Sequence, residues 1–304
     1  MNVEVVPFAG WEMCLRLANS EIEIVATAQV GPRIIRLGFV GVQNEFAVYP
    51  DQCGQTGGDT WRSYGGHRLW HAPEVRPRTT VPDNHPISWW QDGDWLVLQA
   101  PTEVPTGIRK EIRVRLDADR NHLQVMHKLT NLGLWTVAMA PWALSVMAPG
   151  GRLIAPQEPY QSHSSHLLPV RPVVLWGYTD MSDLRFRWGR RFIQMSQDSA
   201  AGSPQKFGMR NTLGWAAYLN QDRLFLKHFP YEPCATYADL GCNAEFFTNQ
   251  RMLEIETLGP LVALEPGCSV SHREDWYLHR GVDVGASEDS MEAALAPLLN
   301  LDHS

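Results

Sequence analysis

Several local patterns that mark common enzyme classes are missing from this sequence of 304 residues. Its five cysteines are scattered without a CxxC pair, so we predict reduced thiols and no zinc site. HxH and HExxH spacings, a GxSxG elbow, a GxGxxG turn and a phosphate-binding loop are also absent. We therefore predict neither a metal nor a cofactor, and no α/β-hydrolase, dinucleotide-binding or nucleotide-hydrolysing domain.

The chain also has little basic charge and no long apolar run. Lysine and arginine number 26 against 33 acidic residues, and the resulting net charge of −7 argues against a nucleic acid partner. The longest apolar stretch, residues 132–147, is interrupted by Gly133 and Pro141 and is shorter than the ~20 residues that a membrane helix needs. The first residues lack the basic and apolar regions of a secretory signal, so we predict a cytoplasmic protein that has no membrane partner.

What the sequence does contain is a repeated alternation of apolar and polar residues, which is the period of a β-strand. Residues 110–116 and 123–129 show this alternation on either side of a turn rich in Asp and Asn, and predict an antiparallel hairpin. Residues 21–26 and 33–39 predict a second hairpin. Residues 135–147 are apolar on both faces, which is typical of a central strand that is covered on both sides.

Only the end of the chain has the pattern of a helix. Residues 287–301 are predicted to be helical, with Ser287 or Asp289 as the N-cap and Pro297 as a kink or stop. The strands elsewhere predict an all-β fold, most simply a large antiparallel β-sandwich with a short C-terminal helix. We predict one domain over residues 1–304, in which 1–285 form the sandwich and 286–304 the helical tail.

Two carboxylates share one face of a late strand. Residues 252–257 and 269–278 are the last clear pair of predicted strands, and in the first of them Leu253 and Ile255 share a face. Because side chains alternate along a strand, Glu254 and Glu256 must share the other face. Such a pair is ordinarily a solvated edge, but the flanking apolar residues favour a strand inside the sheet and a cleft position for one glutamate.

Residues 65–74 combine a glycine pair with side chains that bind sugars. An indole covers the C–H face of a sugar ring, and Arg, His and carboxylate groups hydrogen-bond its hydroxyls. Here these groups are His67, Arg68, Trp70 and His71. The alternative is that the histidines are hydrogen-bonded structural residues.

Three further polar residues lie near apolar segments. Glu245 precedes two phenylalanines, an environment that disfavours a charged carboxylate and tunes it as an acid or base. Asp239 stands beside a glycine turn, where it either holds the turn or faces a cleft. Lys227 and His228 must point to opposite faces of their strand, so one of them is buried or in the cleft.

Several of these segments together resemble the galactose mutarotase-like superfamily, which includes the aldose 1-epimerases and is built as a β-supersandwich. The similarity covers most of the chain and is closest to an uncharacterised bacterial branch. It is carried by GGHRLWHAP at 65–73, HKLTNLG at 127–133, EIETLGP at 254–260, LEPG at 264–267 and Trp276.

The resemblance implies roles for individual residues. Glu256, with Glu254 as the competing register, matches the family's general base, which acts on the anomeric hydroxyl. His67 or His71 lies where family members hold a histidine that contacts the substrate. The family's second histidine, which protonates the ring oxygen, follows the central apolar strand, and this sequence has none there. If the chain is an epimerase, one of the two earlier histidines must supply the acid; otherwise their segment only binds the ligand.

We therefore expect a carbohydrate-active protein whose ligand is a small carbohydrate. The first hypothesis is an aldose 1-epimerase-like isomerase that acts on a monosaccharide or sugar derivative by Glu/His acid–base chemistry. The alternatives are a non-catalytic carbohydrate-binding or sensing protein, and lyase or glycosidase chemistry on the same fold. The oligomeric state stays open. The predicted catalytic residues are Glu256, His67, His71 and Glu245, and the predicted substrate-binding residues are Arg68, Trp70, Trp142, Lys227, Asp239 and Glu254.

Overall fold

Two large antiparallel sheets dominate the computed structural model, which describes residues 2–301. Strands β1–β5 are Glu4–Phe8, Trp11–Ala18, Ile22–Thr27, Arg33–Phe39 and Gly66–Ala72. Strands β6–β11 are Ser88–Asp92, Trp95–Gln99, Ile108–Leu116, His122–Asn131, Val137–Met147 and Arg152–Pro156. Strands β12–β17 are Val173–Leu175, Phe186–Trp188, Phe192–Ser196, Gln205–Met209, Trp215–Asn220 and Arg223–His228. Strands β18–β21 are Ala244–Thr248, Leu253–Leu258, Val262–Leu264 and Ser269–His279, and helix α1 is Glu288–Leu301.

The strand order places the late strands at the centre of each sheet. The first sheet has the order β1-β2-β3-β4-β5-β10-β19-β18-β15-β12, with β20 paired to β10. The second sheet has the order β13-β14-β11-β16-β17-β21-β9-β8-β7-β6. The predicted all-β sandwich with a C-terminal helix is confirmed.

The main hydrophobic core lies between the two sheets. Leu69 and Ile255 from the first sheet and Val125 and Trp276 from the second are among its buried members. Because side chains alternate along each strand, each sheet also has an outer face. On the second sheet, α1 covers that outer face through Met291.

The local predictions of hairpins are also confirmed. Strand β8 pairs with β9, and β3 pairs with β4, both antiparallel. Strand β10 lies between β5 and β19 in the first sheet and is almost entirely buried, as its apolar sequence predicts.

The two late predicted strands enter different sheets. The last two long strands, β19 and β21, do not pair, because β19 belongs to the first sheet and β21 to the second. The residues between them include β20 and carry the chain from one sheet to the other. Strand β19 instead lies between β10 and β18, which confirms the position inside a sheet that its flanking residues predict.

Helix α1 begins after Ser287, one of the two predicted caps, and extends to Leu301 as predicted. The Ser287 hydroxyl accepts a hydrogen bond from the Ser290 amide at 3.1 Å, which is N-cap geometry. The helix runs through Pro297 to Leu301, so the proline does not end it. Between residues 2 and 301, no helix combines the length and the apolar character that crossing a membrane requires.

Candidate functional site

The outer face of the first sheet carries a cluster of charged and aromatic side chains. On β5, Arg68 and Trp70 face outward, whereas Leu69 faces the main core. In the neighbouring strand, Leu144 lies opposite both Arg68 and Glu256 in the strand register. The sheet pairing therefore brings residues from distant parts of the chain onto one surface.

At the centre of this surface, one lysine joins two carboxylates. Glu245 on β18 is the direct cross-strand partner of Glu256 on β19. The Lys206 ammonium on β15 lies 2.7 Å from Glu245 Oε2 and 2.9 Å from Glu256 Oε2. The Trp142 indole donates a hydrogen bond to Glu256 Oε2 at 3.0 Å. We call Lys206, Glu245 and Glu256 the charged triad.

Burial changes the acidity of the charged triad. Glu245 is 0% and Glu256 1% exposed. Burial raises the pKa of Glu245 to about 8 against the opposing charge of Lys206, and burial likewise raises the pKa of Glu256. Burial lowers the pKa of Lys206, but the negative charges of Glu256 and Glu245 have the larger opposite effect. The pKa of Lys206 is therefore raised. Burial therefore favours a protonated carboxyl group in the charged triad, next to an ammonium group that the two glutamates stabilise.

A second ion pair lies beside the charged triad and leaves hydrogen-bond donors free. Arg68 Nη2 donates to Glu254 Oε1 at 2.9 Å, and the guanidinium carbon lies 4.5 Å from the centre of the Trp70 ring. Within residues 2–301, Arg68 Nε and Nη1 and Trp61 Nε1 are buried without a hydrogen-bond partner. Buried donors without acceptors are costly, and a ligand oxygen can satisfy them.

Two segments cover the charged triad. Ala238 packs on the apolar cluster that includes Trp142, and the nearby charge of Asp239 contributes to raising the pKa of Glu245. From the other side, the Trp176 ring centre lies 4.6 Å from Lys206 Nζ. The carboxyl groups of Glu245 and Glu256 are therefore almost completely shielded from solvent in this structure.

The structure brings most, but not all, of the predicted site residues together. The predicted residues on the outer face of the first sheet are Glu256, Glu245, Glu254, Arg68, Trp70 and Trp142, and Asp239 lies near Glu245. The sequence analysis missed Lys206, Trp61 and Trp176. Lys206 lies between Gln205 and Phe207 in a short strand, so its side chain points to the face opposite to Phe207, but nothing local indicates that it faces two glutamates.

The predicted histidines are not in this site, which corrects the expected Glu/His pair. His67 is 0% exposed between the sheets, where its Nε2 atom lies 2.6 Å from His127 Nε2 and its Nδ1 atom 2.9 Å from the Ser145 hydroxyl. Burial lowers the pKa of His67 well below its ordinary value. His71 is also 0% exposed and lies 3.6 Å from Glu103. Strand alternation is the reason, since residues 67 and 71 must face opposite to 68 and 70.

Lys227 also lies between the sheets and not in the predicted cleft. Its ammonium group donates to Glu274 Oε1 at 2.9 Å and to the Ile255 carbonyl at 3.4 Å, and both ionised side chains are 0% exposed. Glu274 also accepts hydrogen bonds from Thr257 and, at 2.7 Å, from the Trp276 indole. Lys227 is therefore part of a buried polar network that supports β19 from behind.

The same network contains the residues that come nearest to a metal site. His67, His127 and Glu274 have ligand-type atoms that all lie within 4.8 Å of one another. These atoms already have protein partners, because the two imidazoles contact each other and Lys227 is bound to Glu274. A fixed ammonium group beside the carboxylate opposes a divalent cation, so this group is better explained as a hydrogen-bonded core network.

The raised pKa of Glu245 has a consequence for stability. Its folded-state pKa of about 8 lies above the ordinary value of 4.5, so wild-type protein loses stability as the pH rises through this window. The side chain of Gln in Glu245→Gln does not titrate, so this variant does not share that loss. We therefore expect its free energy of unfolding, minus that of wild type, to increase from about pH 5 to about pH 8. Urea denaturation at both pH values measures this change.

Glu12→Gln is the control, because it removes the carboxylate of an exposed residue on β2. If Glu245→Gln and wild type differ by the same free energy at both pH values, the carboxyl group of Glu245 does not titrate in this window.

Comparison with known proteins identifies the fold. The sequence matches no protein-family model and no curated protein. A Klebsiella pneumoniae protein provisionally described as an aldose 1-epimerase has a TM-score of 0.59 at 12% identity, with 98% of this chain and 86% of that chain covered. A galactose mutarotase-like protein from Lactobacillus casei has a TM-score of 0.54 at 11% identity, covering 88% of this chain and 100% of that chain. An Escherichia coli K12 protein, also provisionally described as an aldose 1-epimerase, has a TM-score of 0.52 at 12% identity, covering 88% and 99%. These likenesses confirm the predicted galactose mutarotase-like fold.

Proposed function

We propose that this chain is an aldose 1-epimerase-like isomerase, which interconverts the two anomers of an aldose. The observation that carries the proposal is the charged triad, in which Lys206 joins two opposed, buried glutamates. Anomer exchange needs one group that removes a proton and another that delivers one. Two carboxyl groups with raised pKa values and a shared cation meet that need without histidine.

The contacts favour a different role for each glutamate. Glu256 Oε2 lies within hydrogen-bond distance of both the Lys206 ammonium and the Trp142 indole, which stabilise its ionised form. Glu245 has the single Lys206 contact, and its Oε1 atom is without a hydrogen-bond partner in the part of the chain that the structure describes. We therefore assign Glu256 as the base and Glu245 as the acid.

In the proposed reaction, Glu256 takes the proton of the anomeric hydroxyl while Glu245 gives a proton to the ring oxygen. The bond between C1 and the ring oxygen breaks, and C1 becomes an aldehyde carbon. After rotation about the C1–C2 bond, the same steps in reverse close the ring on the other face of C1. Lys206 stays near both carboxyl groups and stabilises whichever one is ionised.

The neighbouring side chains supply a means of binding the sugar. Arg68 has two nitrogens, Nε and Nη1, whose N–H groups can donate to hydroxyl oxygens, while Trp70 and Trp61 supply aromatic rings for C–H groups. The proteins with a similar fold are described as aldose 1-epimerases or galactose mutarotase-like, which supports a sugar ligand. Because Ala238 and Trp176 cover the charged triad, we infer that binding includes movement of this cover.

Exchange NMR on a panel of aldoses tests the proposal, because it measures anomer interconversion at equilibrium. Wild-type protein is expected to accelerate exchange for at least one sugar beyond the rate in buffer. The absence of acceleration for every sugar of the panel would contradict an epimerase.

A non-catalytic sugar-binding protein is the second candidate. It is favoured by the cover over the charged triad, since the carboxylates are buried and already paired with Lys206. Saturation-transfer NMR distinguishes the two candidates on the same panel, because sugar binding without acceleration supports the binding protein alone.

A further inference from the structure

The residue that follows Glu256 faces the opposite side of its sheet and joins the two sheets. Thr257 is fully buried, and alternation along β19 turns its side chain away from the outer face that carries Glu256. The Thr257 hydroxyl lies within hydrogen-bond distance of Glu274 Oε1 and 2.8 Å from His272 Nε2, and both partners belong to β21 of the second sheet. Strand β19 is therefore tied to the second sheet one residue after Glu256.

The direction of the hydrogen bonds at Thr257 follows from the charge of its partners. Burial raises the pKa of Glu274, but Lys227 and the other polar groups around this carboxylate outweigh burial and lower it. An ionised carboxylate only accepts, so the single hydroxyl proton of Thr257 goes to Glu274. The Thr257 oxygen then accepts from His272 Nε2. Burial lowers the pKa of His272 to about 3, so this imidazole is neutral and carries its one proton on Nε2.

The other two histidines of the buried polar network are also fixed in one tautomer. His127 Nδ1 lies 3.0 Å from the His272 carbonyl oxygen, which only accepts, so the His127 proton is on Nδ1. His127 Nε2 then accepts from His67 Nε2 at 2.6 Å, and His67 Nδ1 accepts from the Ser145 hydroxyl at 2.9 Å. Burial lowers the pKa of both imidazoles, which keeps them neutral. The contacts therefore run from the first sheet through the second and return to it at Thr257.

A further contact holds the residue before Glu256. The Ile255 carbonyl accepts from the Lys227 ammonium at 3.4 Å, and Lys227 is itself held by its ion pair with Glu274 at 2.9 Å. Glu256 therefore lies between two residues, Ile255 and Thr257, that are both hydrogen-bonded to the second sheet. A shift of this part of β19 moves the Glu256 carboxyl group with it.

We propose that Thr257 is a positioning residue for Glu256, through which the buried polar network holds the base at the charged triad. This inference rests on the proposed function, in which Glu256 takes the proton of the anomeric hydroxyl. A general base acts only within hydrogen-bond distance of its proton, and a displacement of about 1 Å can lower a rate by about 10²-fold. Because Thr257 faces away from the outer face, its effect is expected in kcat and not in sugar binding.

Thr257→Val tests this inference, because valine is close in shape to threonine and lacks the hydroxyl. We expect kcat for catalysed anomer exchange to fall by about 10- to 10²-fold, with little change in KM. Thr257→Ser keeps the hydroxyl and is expected to retain most of the wild-type rate. Thr27→Val is the matched control, since Thr27 is a fully buried residue of β3 whose hydroxyl accepts from the Gln29 amide at 3.2 Å.

NMR of the histidine side chains tests the network in the wild-type protein and needs neither a variant nor turnover. Nitrogen-15 shifts are expected to show three neutral imidazoles, with the proton on Nε2 in His67 and His272 and on Nδ1 in His127. A neutral His272 with its proton on Nδ1, or a charged His272 at neutral pH, would contradict the hydrogen bonding assigned to Thr257.

The indole N–H signal of Trp142 gives a measure of the position of Glu256, because this group donates to Glu256 Oε2. The signal is expected to shift in Thr257→Val and to stay in place in Thr27→Val. An unshifted signal in Thr257→Val would overturn the inference, since Glu256 then keeps its position without the hydroxyl.

The kinetic outcomes separate this inference from the proposed function. If wild-type protein accelerates exchange and Thr257→Val keeps the wild-type kcat, the inference fails and the epimerase proposal stands. Equal losses of kcat in Thr257→Val and Thr27→Val also overturn it, because a general loss of packing then explains both. If wild-type protein accelerates the exchange of no sugar, the proposed function fails, and the Trp142 signal alone decides whether Thr257 positions Glu256.

Discussion

Replacing Glu256 with Gln is expected to lower the rate of catalysed anomer exchange by about 10²- to 10⁴-fold, the usual contribution of general acid–base catalysis. Glutamine keeps the size of the side chain and its carbonyl oxygen can still accept from the Trp142 indole, but it cannot take up the anomeric proton. The loss is therefore expected in kcat, whereas sugar binding changes little. Exchange NMR measures the rate, and isothermal titration calorimetry measures the binding.

Glu12→Gln is the matched control, because Glu12 is an exposed residue on β2, away from the charged triad. A Glu256→Gln variant that keeps the wild-type kcat would contradict the assignment of Glu256 as the base. Loss of sugar binding together with the rate would instead indicate that Glu256 mainly holds the ligand.

Replacing Lys227 with Met is expected to lower the free energy of unfolding by about 3–5 kcal/mol, the usual cost of breaking a buried ion pair. Lys227 and Glu274 are both 0% exposed and lie 2.9 Å apart, so removal of the ammonium group leaves a carboxylate buried without its countercharge. Adding Glu274→Gln to the same variant is expected to recover part of this loss, because the unpaired charge is then removed. Urea denaturation measures both changes.

An exposed ion pair gives the comparison for this prediction. Arg280 and Glu21 lie 2.6 Å apart with side chains that are 61% and 45% exposed. Arg280→Met is expected to cost less than about 1 kcal/mol, because solvent screens the pair. A cost for Lys227→Met as small as that for Arg280→Met would show that the buried pair contributes no more than a surface pair.

The two-residue period of a strand explains why the prediction for the glutamates of β19 is right and the prediction for the histidines of β5 is wrong. In β19, alternation predicts that Glu254 and Glu256 share a face, and the structure places them on the outer face of the first sheet. In β5, the same rule places His67 and His71 on the face opposite to Arg68, although the sequence predicts all three as residues of one sugar site. Alternation along β5 therefore distinguishes its two faces from the sequence, whereas closeness along the chain does not.

The sequence by itself determined the strand pattern, the hairpins, the C-terminal helix and the alternation that groups Glu254 with Glu256, because each of these depends on residues close together in the chain. The tertiary structure alone decided that β19 and β21 enter different sheets. It also decided that Lys206 joins Glu245 and Glu256, and that Ala238 and Trp176 cover them. The physical reason is that strand pairing between distant segments sets these contacts, and no local period specifies which strands pair.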